Sequence, residues 1–307
     1  MGTDRGGYGH PSYAAALAEF GAPRALPRSG GTLLVREIDG AGASDAMGAY
    51  PLFACDDWGG LAADLQELEG ELVSVALVAD PFGGWTVEQL SAAFPDRQIA
   101  FKEHHVVDLA DGDPVARATK HHRQYARRGL RAVAVEEVAD PPSLLDEWDA
   151  LYGGLVARHG ITGISAFSRA SFAGQLAVPG IVAFRATALD DGELAGAALW
   201  YLDGDVAYWH LAAYSECGYR LDASYALMAT ALERFAQPGG PRWAGLGAGA
   251  GVDASGAGLD RFKAGWATET RTAHFCGRIL DHARYRALSP ERGDTAFFPA
   301  YRAGGAG

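Results

Sequence analysis

Cysteine, long apolar runs and a leader segment are scarce or absent in this chain of 307 residues. Cys55, Cys217 and Cys276 are its only cysteines, and no two of them form a Cys-x-x-Cys pair. An odd number of widely spaced cysteines excludes a disulfide framework and a structural zinc site. The chain also lacks an apolar run of about 18 residues, and its first ten residues lack the order of a signal peptide. We therefore expect a cytoplasmic protein without a membrane span.

Positive charge is rare as well and unevenly distributed. The formal net charge is −12, and 49% of the residues are hydrophobic, which is enough for one large core or two modest ones. Residues 114–131 contain six basic and no acidic side chains, so the remainder of the chain carries −18. Such an acidic remainder argues against broad nucleic-acid binding, whereas the basic window would attract an anion to one place.

The basic window has the signals of a single helix. Asp113-Pro114 reads as an N-cap followed by a proline at the first helical position, and Gly129 is a typical helix stop. Lys120, Arg123 and Arg127 then share one face, because they are three and four residues apart. Two interpretations remain open: a solvated basic face, or a ridge that binds phosphate or RNA.

Hydrophobic periodicity divides the chain into two segments, joined at residues 111–114. The pattern predicts an antiparallel meander of three strands in the second segment, followed by a helix capped by Asp222 and a strand that begins at Trp243. The predicted helices are 12–20, 87–94, 114–131, 143–159 and 223–235, and the predicted strands are 32–36, 71–79, 99–107, 132–136, 181–189, 194–201, 206–213, 243–246 and 270–279.

A glycine-rich stretch, residues 245–258, follows the strand at Trp243 and leads into Leu259-Asp-Arg-Phe-Lys263. Dense glycine allows positive φ angles and a close approach of the backbone to a ligand, and Lys263 would add a cation there. The alternative is a flexible surface loop followed by an ordinary strand that leaves Lys263 in solvent.

Several of these segments together resemble the GNAT acyltransferase superfamily, in its FemAB-like branch. They are the basic helix His121–Arg128, the hairpin Leu189–Gly196, the strand Ala207–Leu211, Gly258–Trp266 and the closing Tyr285–Leu288. The resemblance covers about residues 110–290. It implies an α+β fold with a mixed, mostly antiparallel sheet flanked by helices. Residues 111–307 would form the acyltransferase domain, and residues 1–110 a smaller α/β domain or a second, degenerate GNAT-like unit.

The resemblance also implies a donor. Relatives that use acyl-CoA hold pyrophosphate on an Arg/Gln-x-x-Gly-x-Gly/Ala loop, and this chain has Ser215-Glu-Cys-Gly-Tyr-Arg220 instead. Gly218 is kept, but Arg220 fills a position where backbone usually approaches, which favours another donor. Phe262-Lys263 resembles the Phe-Lys pair that lies near the acceptor end of the donor in tRNA-dependent relatives. Donor binding is thus predicted for the following side chains: Lys120, Arg123, Arg127, Gly218, Arg220 and Phe262.

Catalysis needs stabilisation of an oxyanion and removal of a proton from the acceptor amine. Lys263 is the candidate for the first role; Glu216, beside the donor loop, is preferred for the second over His210, Tyr214 and Asp260. His210 has an alternative as a hydrogen-bonded core histidine. Acceptor binding is predicted for Tyr208, Trp209, Tyr214 and Asp260. The loops 45–50 and 80–85 have two interpretations, as the lining of an acceptor pocket or as plain connections.

The adjacent histidine pairs, 104–105 and 121–122, diverge on a strand or a helix, so no metal site is expected. Three functions remain. The first is an amide-forming transferase without a permanently bound cofactor, which moves an aminoacyl group from aminoacyl-tRNA to the amine of a small molecule or cell-envelope precursor. The second is an N-acyltransferase that uses acyl-CoA on a sugar amine or metabolite. The third is a non-catalytic scaffold.

Overall fold

The computed structural model describes residues 5–249, 257–289 and 297–303. One sheet of eleven strands runs through these residues, and every strand predicted from the sequence is present. The strands are β1 (Ala22–Ala25), β2 (Thr32–Ile38), β3 (Ala43–Gly48), β4 (Ser74–Ala79), β5 (Arg97–Asp108), β6 (Val133–Glu137), β7 (Ile181–Ala188), β8 (Leu194–Asp203), β9 (Val206–Tyr214), β10 (Trp243–Gly247) and β11 (Glu269–Ile279).

The strand order is β1-β2-β3-β4-β11-β5-β10-β9-β8-β7-β6. Only the pairs β3–β4 and β9–β10 are parallel, and all other neighbours run antiparallel. The predicted fold class, a mixed and mostly antiparallel sheet flanked by helices, is thereby confirmed.

Helices cover both faces of the sheet. They are α1 (Pro11–Ala16), α2 (Trp58–Glu67), α3 (Val87–Ala93), α4 (Pro114–Arg117), α5 (Lys120–Gly129), α6 (Leu145–His159), α7 (Arg169–Gln175), α8 (Glu216–Arg220), α9 (Ala223–Phe235), α10 (Ala257–Ala264) and α11 (His282–Leu288). One core packs α5 and α9 against the face that bears Trp200, and a second packs α1, α6 and α7 against the face that bears Tyr201. A third core lies under α2 and α3.

The two segments of the chain repeat one arrangement. The meander β1–β3 is followed by the parallel strand β4, just as the meander β7–β9 is followed by the parallel strand β10. β11 comes late in the chain but lies between β4 and β5, so it belongs to the sheet of the first segment. The division into two domains at residue 110 stays a prediction. Strand β11, from the second segment, lies between two strands of the first, and β5, from the first segment, pairs with β10 of the second.

The basic window forms two helices instead of the single predicted one. Asp113 caps α4 through its side chain and Pro114 opens the helix, as expected, but the chain turns at Ala118 and restarts at α5. The Thr119 hydroxyl accepts the His122 amide at 3.4 Å and so caps α5. Threonine is a favourable N-cap residue, so a second helix begins after Thr119. The spacing of the basic residues did not predict this cap.

Three further predictions are corrected by the structure. Asp222 precedes α9 with φ 57° and makes no side-chain cap; its carboxylate pairs with Arg128 instead. Asp45 is buried inside β3, where Arg36 and Arg302 pair with it, so residues 45–48 are not a pocket loop. The Phe262-Lys263 segment is helical, within α10, rather than part of a strand.

Candidate active site

The strands β9 and β10 separate part-way along their length. Val206, Ala207 and Tyr208 pair with β10, and the rest of β9 has no partner on this side among the described residues. β10 is irregular between Gly245 and Gly247, and Gly247 has φ 72°, which favours glycine. The equivalent opening beyond β3 and β4 is closed by the backbone of Phe53. Its N–H donates to the carbonyl of Val78, and its carbonyl accepts the N–H of Asp80. The β9–β10 opening therefore marks the candidate site.

Lys263 lies at this opening. Its side chain comes from α10, is only 8% exposed, and donates from Nζ to the carbonyl of Ala248 at 2.5 Å. The ammonium lies 5.3 Å from the ring centroid of Trp209, within the range of a cation–π contact. Burial and the charge of Lys102 lower the pKa of Lys263 to about 7, against the opposing charge of Asp260. The remaining glycine-rich loop, residues 250–256, lies outside the described residues.

A second titratable group lies close to Lys263. His104 comes from β5, and burial together with the charges of Lys263 and Lys102 lowers its pKa to about 4. Lys102 and His104 are on one side of β5, because they are two residues apart. The opening is thus a positively charged region in which His104 stays neutral near pH 7. Such a region stabilises a developing oxyanion or a phosphate.

Phe262 and Trp209, both predicted at the site, are in contact there. Their rings are 5.9 Å apart, and Phe262 also meets Tyr225 of α9 at 5.0 Å and Trp266 at 6.3 Å. Phe262, Trp209 and Tyr225 are half-buried and form the wall of the opening on the side of α5 and α9, and the buried Trp266 packs behind them. Tyr225 and Trp266 were not predicted, because their approach depends on how α9 and α10 pack.

His122 connects the basic helix to α10, and sequence reasoning missed it. The geometry fits Nε2–H donating to the carbonyl of Phe262 at 2.9 Å, while Nδ1 accepts the Thr119 hydroxyl at 2.7 Å. The imidazole occupies the space above Gly265, where any Cβ would overlap the ring. Thr119 N–H also bonds the carbonyl of Gly265 at 2.9 Å. Both ends of the turn around Lys263 are therefore held by the start of α5.

The predicted donor-binding residues of α5 have different surroundings. The guanidinium of Arg123 bonds the carbonyls of Ala116 and Ala118, and so joins α4 to α5. Lys120 and Arg127 are exposed, and within residues 5–249, 257–289 and 297–303 neither forms an ion pair. The exposed cations of this helix are therefore available to an anionic ligand, whereas Arg123 has a structural task.

The loop at residues 215–220 is folded onto β8. Gly218 is buried there, and a Cβ on it would overlap the carbonyl of Ala195. Its N–H is taken by the Ser215 hydroxyl at 3.1 Å. Glu216 is exposed and pairs with Arg158 at 2.6 Å, and Arg220 is exposed at the end of α8. The contacts of these residues do not bring them to Lys263, and their predicted roles remain predictions.

His210 is enclosed in the core on the opposite face from Trp209. Its Nε2 bonds the side-chain oxygen of Gln175 at 2.8 Å, and its Nδ1 bonds the Tyr8 hydroxyl at 3.1 Å. Burial lowers the pKa of His210 to about 3. Both ring nitrogens are thus engaged in a neutral ring, which corresponds to the core-histidine alternative and not to a general base.

The other predicted acceptor residues are spread around the opening. Tyr208 donates to the buried carboxylate of Asp80 at 2.7 Å. Asp260, on α10, accepts from His105 at 2.8 Å and is exposed. Tyr214 packs against Tyr219, at the far end of β9. In the described ranges no group of three or more His, Cys, Asp or Glu side chains is arranged to hold a metal ion. No helix in those ranges has the length and apolar character that crossing a membrane requires.

Comparison with known proteins identifies the fold. No protein-family profile and no curated protein sequence matches the chain. The crystal structure of FemX is similar over 90% of this chain and 93% of its own, with a TM-score of 0.66 and 14% identity. The C-terminal domain of a protein described as a lysylphosphatidylglycerol synthetase from Agrobacterium fabrum is similar over 90% and 89%, with a TM-score of 0.60 and 18% identity. L-PGS from Bacillus licheniformis is similar over 89% and 93%, with a TM-score of 0.54 and 17% identity. The chain therefore shares the fold of FemX and of these two other structures, as the resemblance of its sequence motifs to the FemAB-like branch predicted.

Proposed function

We propose that this protein is an amide-forming transferase that moves an aminoacyl group from aminoacyl-tRNA to an amine, at the opening between β9 and β10. The observation that carries the proposal is the buried ammonium of Lys263, fixed by the Ala248 carbonyl in that opening. The fold is shared with FemX and with the structures from Agrobacterium fabrum and Bacillus licheniformis. The name of the Agrobacterium fabrum protein describes a synthetase of lysylphosphatidylglycerol, a product that contains a lysyl group.

The reaction places new negative charge where Lys263 is. As the acceptor amine attacks the donor ester, a carbon–nitrogen bond forms and the carbonyl oxygen becomes an oxyanion. With a pKa of about 7, Lys263 is protonated in about half of the molecules near pH 7. In this form its ammonium stabilises that oxyanion without reorganising, because a backbone carbonyl and Trp209 already orient it. Collapse of the intermediate breaks the ester bond, and the ribose oxygen leaves with a proton that originates from the amine.

Carboxylates at the helix starts favour an aminoacyl-tRNA donor over acyl-CoA. The N-terminus of a helix binds phosphate through free N–H groups and its dipole. Here Glu216 occupies the first turn of α8, and Asp222 immediately precedes α9. Each carboxylate already has an arginine partner, Arg158 for Glu216 and Arg128 for Asp222. A pyrophosphate would have to compete with the carboxylates for these helix starts. The exposed cations Lys120 and Arg127 offer a separate contact to an RNA backbone.

Single-turnover transfer from radiolabelled aminoacyl-tRNA to a panel of amines tests the proposal. Lys263→Met keeps the length of the side chain and removes the charge, and we expect transfer to fall by about 10²–10³-fold, the usual effect of removing one oxyanion donor. Arg169→Met, on the surface of α7, serves as the control and should transfer normally. Full activity of Lys263→Met would contradict the proposal.

The donor class is tested separately by binding titrations over a range of salt concentrations. Binding of tRNA should weaken steeply with salt, and the double variant Lys120→Ala, Arg127→Ala should reduce the slope by about 2, one for each lost phosphate contact. Arg234→Ala, at the end of α9, is the matched control. Tight CoA binding without RNA affinity would instead support the acyl-CoA transferase. If neither donor binds and neither supports transfer, the non-catalytic scaffold is the remaining function.

A further inference from the structure

A cavity of about 370 Å³ lies beside the opening, on the face of the sheet that bears Tyr208. The turn between β8 and β9 forms one wall, and the segment after β4 forms another. Aromatic rings and carboxylates dominate its lining, which includes Asp80, Phe82, Asp203, Asp205, Tyr208 and Trp243. Residues 80–85 were predicted to line such a pocket, and Asp80 and Phe82 do so.

Two carboxylates of this cavity, Asp205 and Asp80, form no ion pair among the described residues, and Asp80 is the buried one, with the charge of Arg5 acting on it from a distance. Asp80 is 2% exposed, and it accepts the Tyr208 hydroxyl at Oδ2 and the Phe82 amide at Oδ1. Two hydrogen bonds leave part of its acceptor capacity unused. A buried carboxylate without a cation is costly, and burial raises the pKa of Asp80 to about 6.

The two arginines in the lining already have acidic partners, although Nη1 of Arg5 is buried without a hydrogen bond. Arg5 pairs with Asp56 and with Asp203, each at 3.4 Å. Arg271 bonds Glu269 at 3.1 Å, and its guanidinium lies 4.4 Å from the ring of Phe82 and 4.2 Å from that of Trp243. The aromatic walls therefore already accept one cation on their faces, and the charge of Asp80 is left for another.

The cavity is close to Lys263 along β10. The ring of Phe82 is 3.2 Å from the place where Gly245 would carry a Cβ, and Lys263 Nζ is 3.3 Å from the corresponding place at Gly247. Two strand residues span about 7 Å. The cavity is on the face of Tyr208 and Lys263 is beside Trp209 on the other face, so a ligand held in the cavity reaches Lys263 through the opening between β9 and β10.

We propose that this cavity binds the ammonium group of an amine-bearing acceptor through Asp80, with Phe82, Tyr208 and Trp243 around it. The assignment as acceptor rests on the proposed transferase function; the binding of an ammonium group does not. It narrows the acceptor to a compound that is cationic when bound.

Three probes of one size test the chemistry of the cavity: butylammonium, 1-butanol and butyrate, observed by saturation-transfer NMR. We expect butylammonium alone to bind. Asp80→Asn should weaken its binding by about 10- to 100-fold, the usual effect of losing a hydrogen bond to a charged group. Asparagine can still accept the Phe82 amide at Oδ1, and its Nδ2 can donate to the Tyr208 oxygen, which reverses that bond, so this variant should fold. Asp191→Asn, in the turn between β7 and β8, is the control and should bind normally.

The rim of the cavity gives an independent variant should Asp80→Asn fail to fold. Asp205 is exposed, and Asp205→Asn should weaken butylammonium binding by about two- to fivefold, as for a surface charge. The assignment would be overturned if Asp80→Asn bound butylammonium as the parent does, or if butyrate bound in preference to butylammonium. Where Asp80→Asn does not fold, unchanged binding by Asp205→Asn would overturn it.

The two proposals fail in different ways. Lys263→Met should keep butylammonium binding, because the lysine is outside the cavity lining. If butylammonium binds but no amine accepts an aminoacyl group, the cavity is an ammonium site and the proposed transferase function is wrong. Transfer whose KM for the amine is the same in Asp80→Asn would support the transferase and remove the cavity assignment.

Discussion

Lys263 is one of only three lysines in the chain, with Lys102 and Lys120, so its titration can be followed directly. We expect the pKa of Lys263 to be about 7, because burial removes the ammonium from water and Lys102 repels it. NMR of the ¹³C-methylated lysines across pH 5–11 measures this value, and the signal absent from Lys263→Arg assigns it. A midpoint above 9 would contradict the buried position.

The same burial predicts how stability depends on pH. Between a folded pKa of about 7 and the ordinary value of 10.5, the unfolded chain binds the proton of Lys263 and the folded chain does not. The contribution of this residue to stability therefore rises with pH over that interval. The lowered pKa corresponds to a cost of about 4 kcal/mol at pH 7. Loss of the bond to Ala248 and of the Trp209 contact offsets part of it, so Lys263→Met should raise the free energy of unfolding by about 2 kcal/mol at pH 7 and less at pH 10. Urea unfolding at both pH values checks the difference, with Arg169→Met as the reference.

Single residues also show what the sequence could and could not reveal. Lys263 was identifiable because it follows Phe262 and a glycine-rich stretch. Trp209 was predicted at the same site, but the sequence did not predict its direct contact with Lys263. Asp80 was identifiable only as part of a loop that could line a pocket, and neither it nor His104 was identifiable as a close neighbour of Lys263. They are more than 120 residues away in the chain, and their approach depends on the pairing of β5, β10 and β11.

At the scale of elements, the junction of α5 and α10 should control the position of Lys263. His122→Ala removes the bond to the Phe262 carbonyl, and Gly265→Ala displaces the imidazole. We expect each variant to lose about 1–3 kcal/mol of stability and to raise the pKa of Lys263 toward 10, because the turn opens to water. Thermal unfolding and the lysine titration measure the two effects.

Two comparisons separate positioning from general damage at this junction. His122→Gln places an amide near the former Nε2 and should restore much of the lysine pKa and of the transfer rate. His121→Ala changes the exposed neighbour on the same helix and should leave the titration unchanged. A pKa of Lys263 that stays at about 7 in both His122→Ala and Gly265→Ala would show that the contact is merely structural.

The helices illustrate why local signals were only partly sufficient. Asp113-Pro114 and Gly129 correctly indicated where the basic window starts and stops being helical. The break at Ala118 was missed, because it depends on the Arg123 guanidinium bonding two carbonyls and on Thr119 contacting Gly265. Side-chain contacts to distant backbone are not encoded in periodicity.

At the scale of the whole molecule, the repeated arrangement explains why one opening is a candidate site and the other is not. Both segments place a parallel strand beside a three-stranded meander, which the sequence did not show as a repeat. Phe53 fills the opening of the first segment, whereas Trp209 and Lys263 line that of the second. The first segment contributes Asp80 and Phe82 to the cavity instead.

The strand order makes a final prediction about the division at residue 110. β11 pairs with both β4 and β5, and β5 pairs with β10, so each segment completes the sheet of the other. Separately expressed residues 1–110 would leave β4 and β5 without their shared partner, and residues 111–307 would leave β10 and β11 exposed at their edges. We expect neither fragment to unfold cooperatively in urea, and we expect the two expressed together to form a complex with the transition of the full chain. Cooperative unfolding of either fragment alone would show that the segments are independent domains, because a sheet that lacks its central strands cannot bury the same apolar faces.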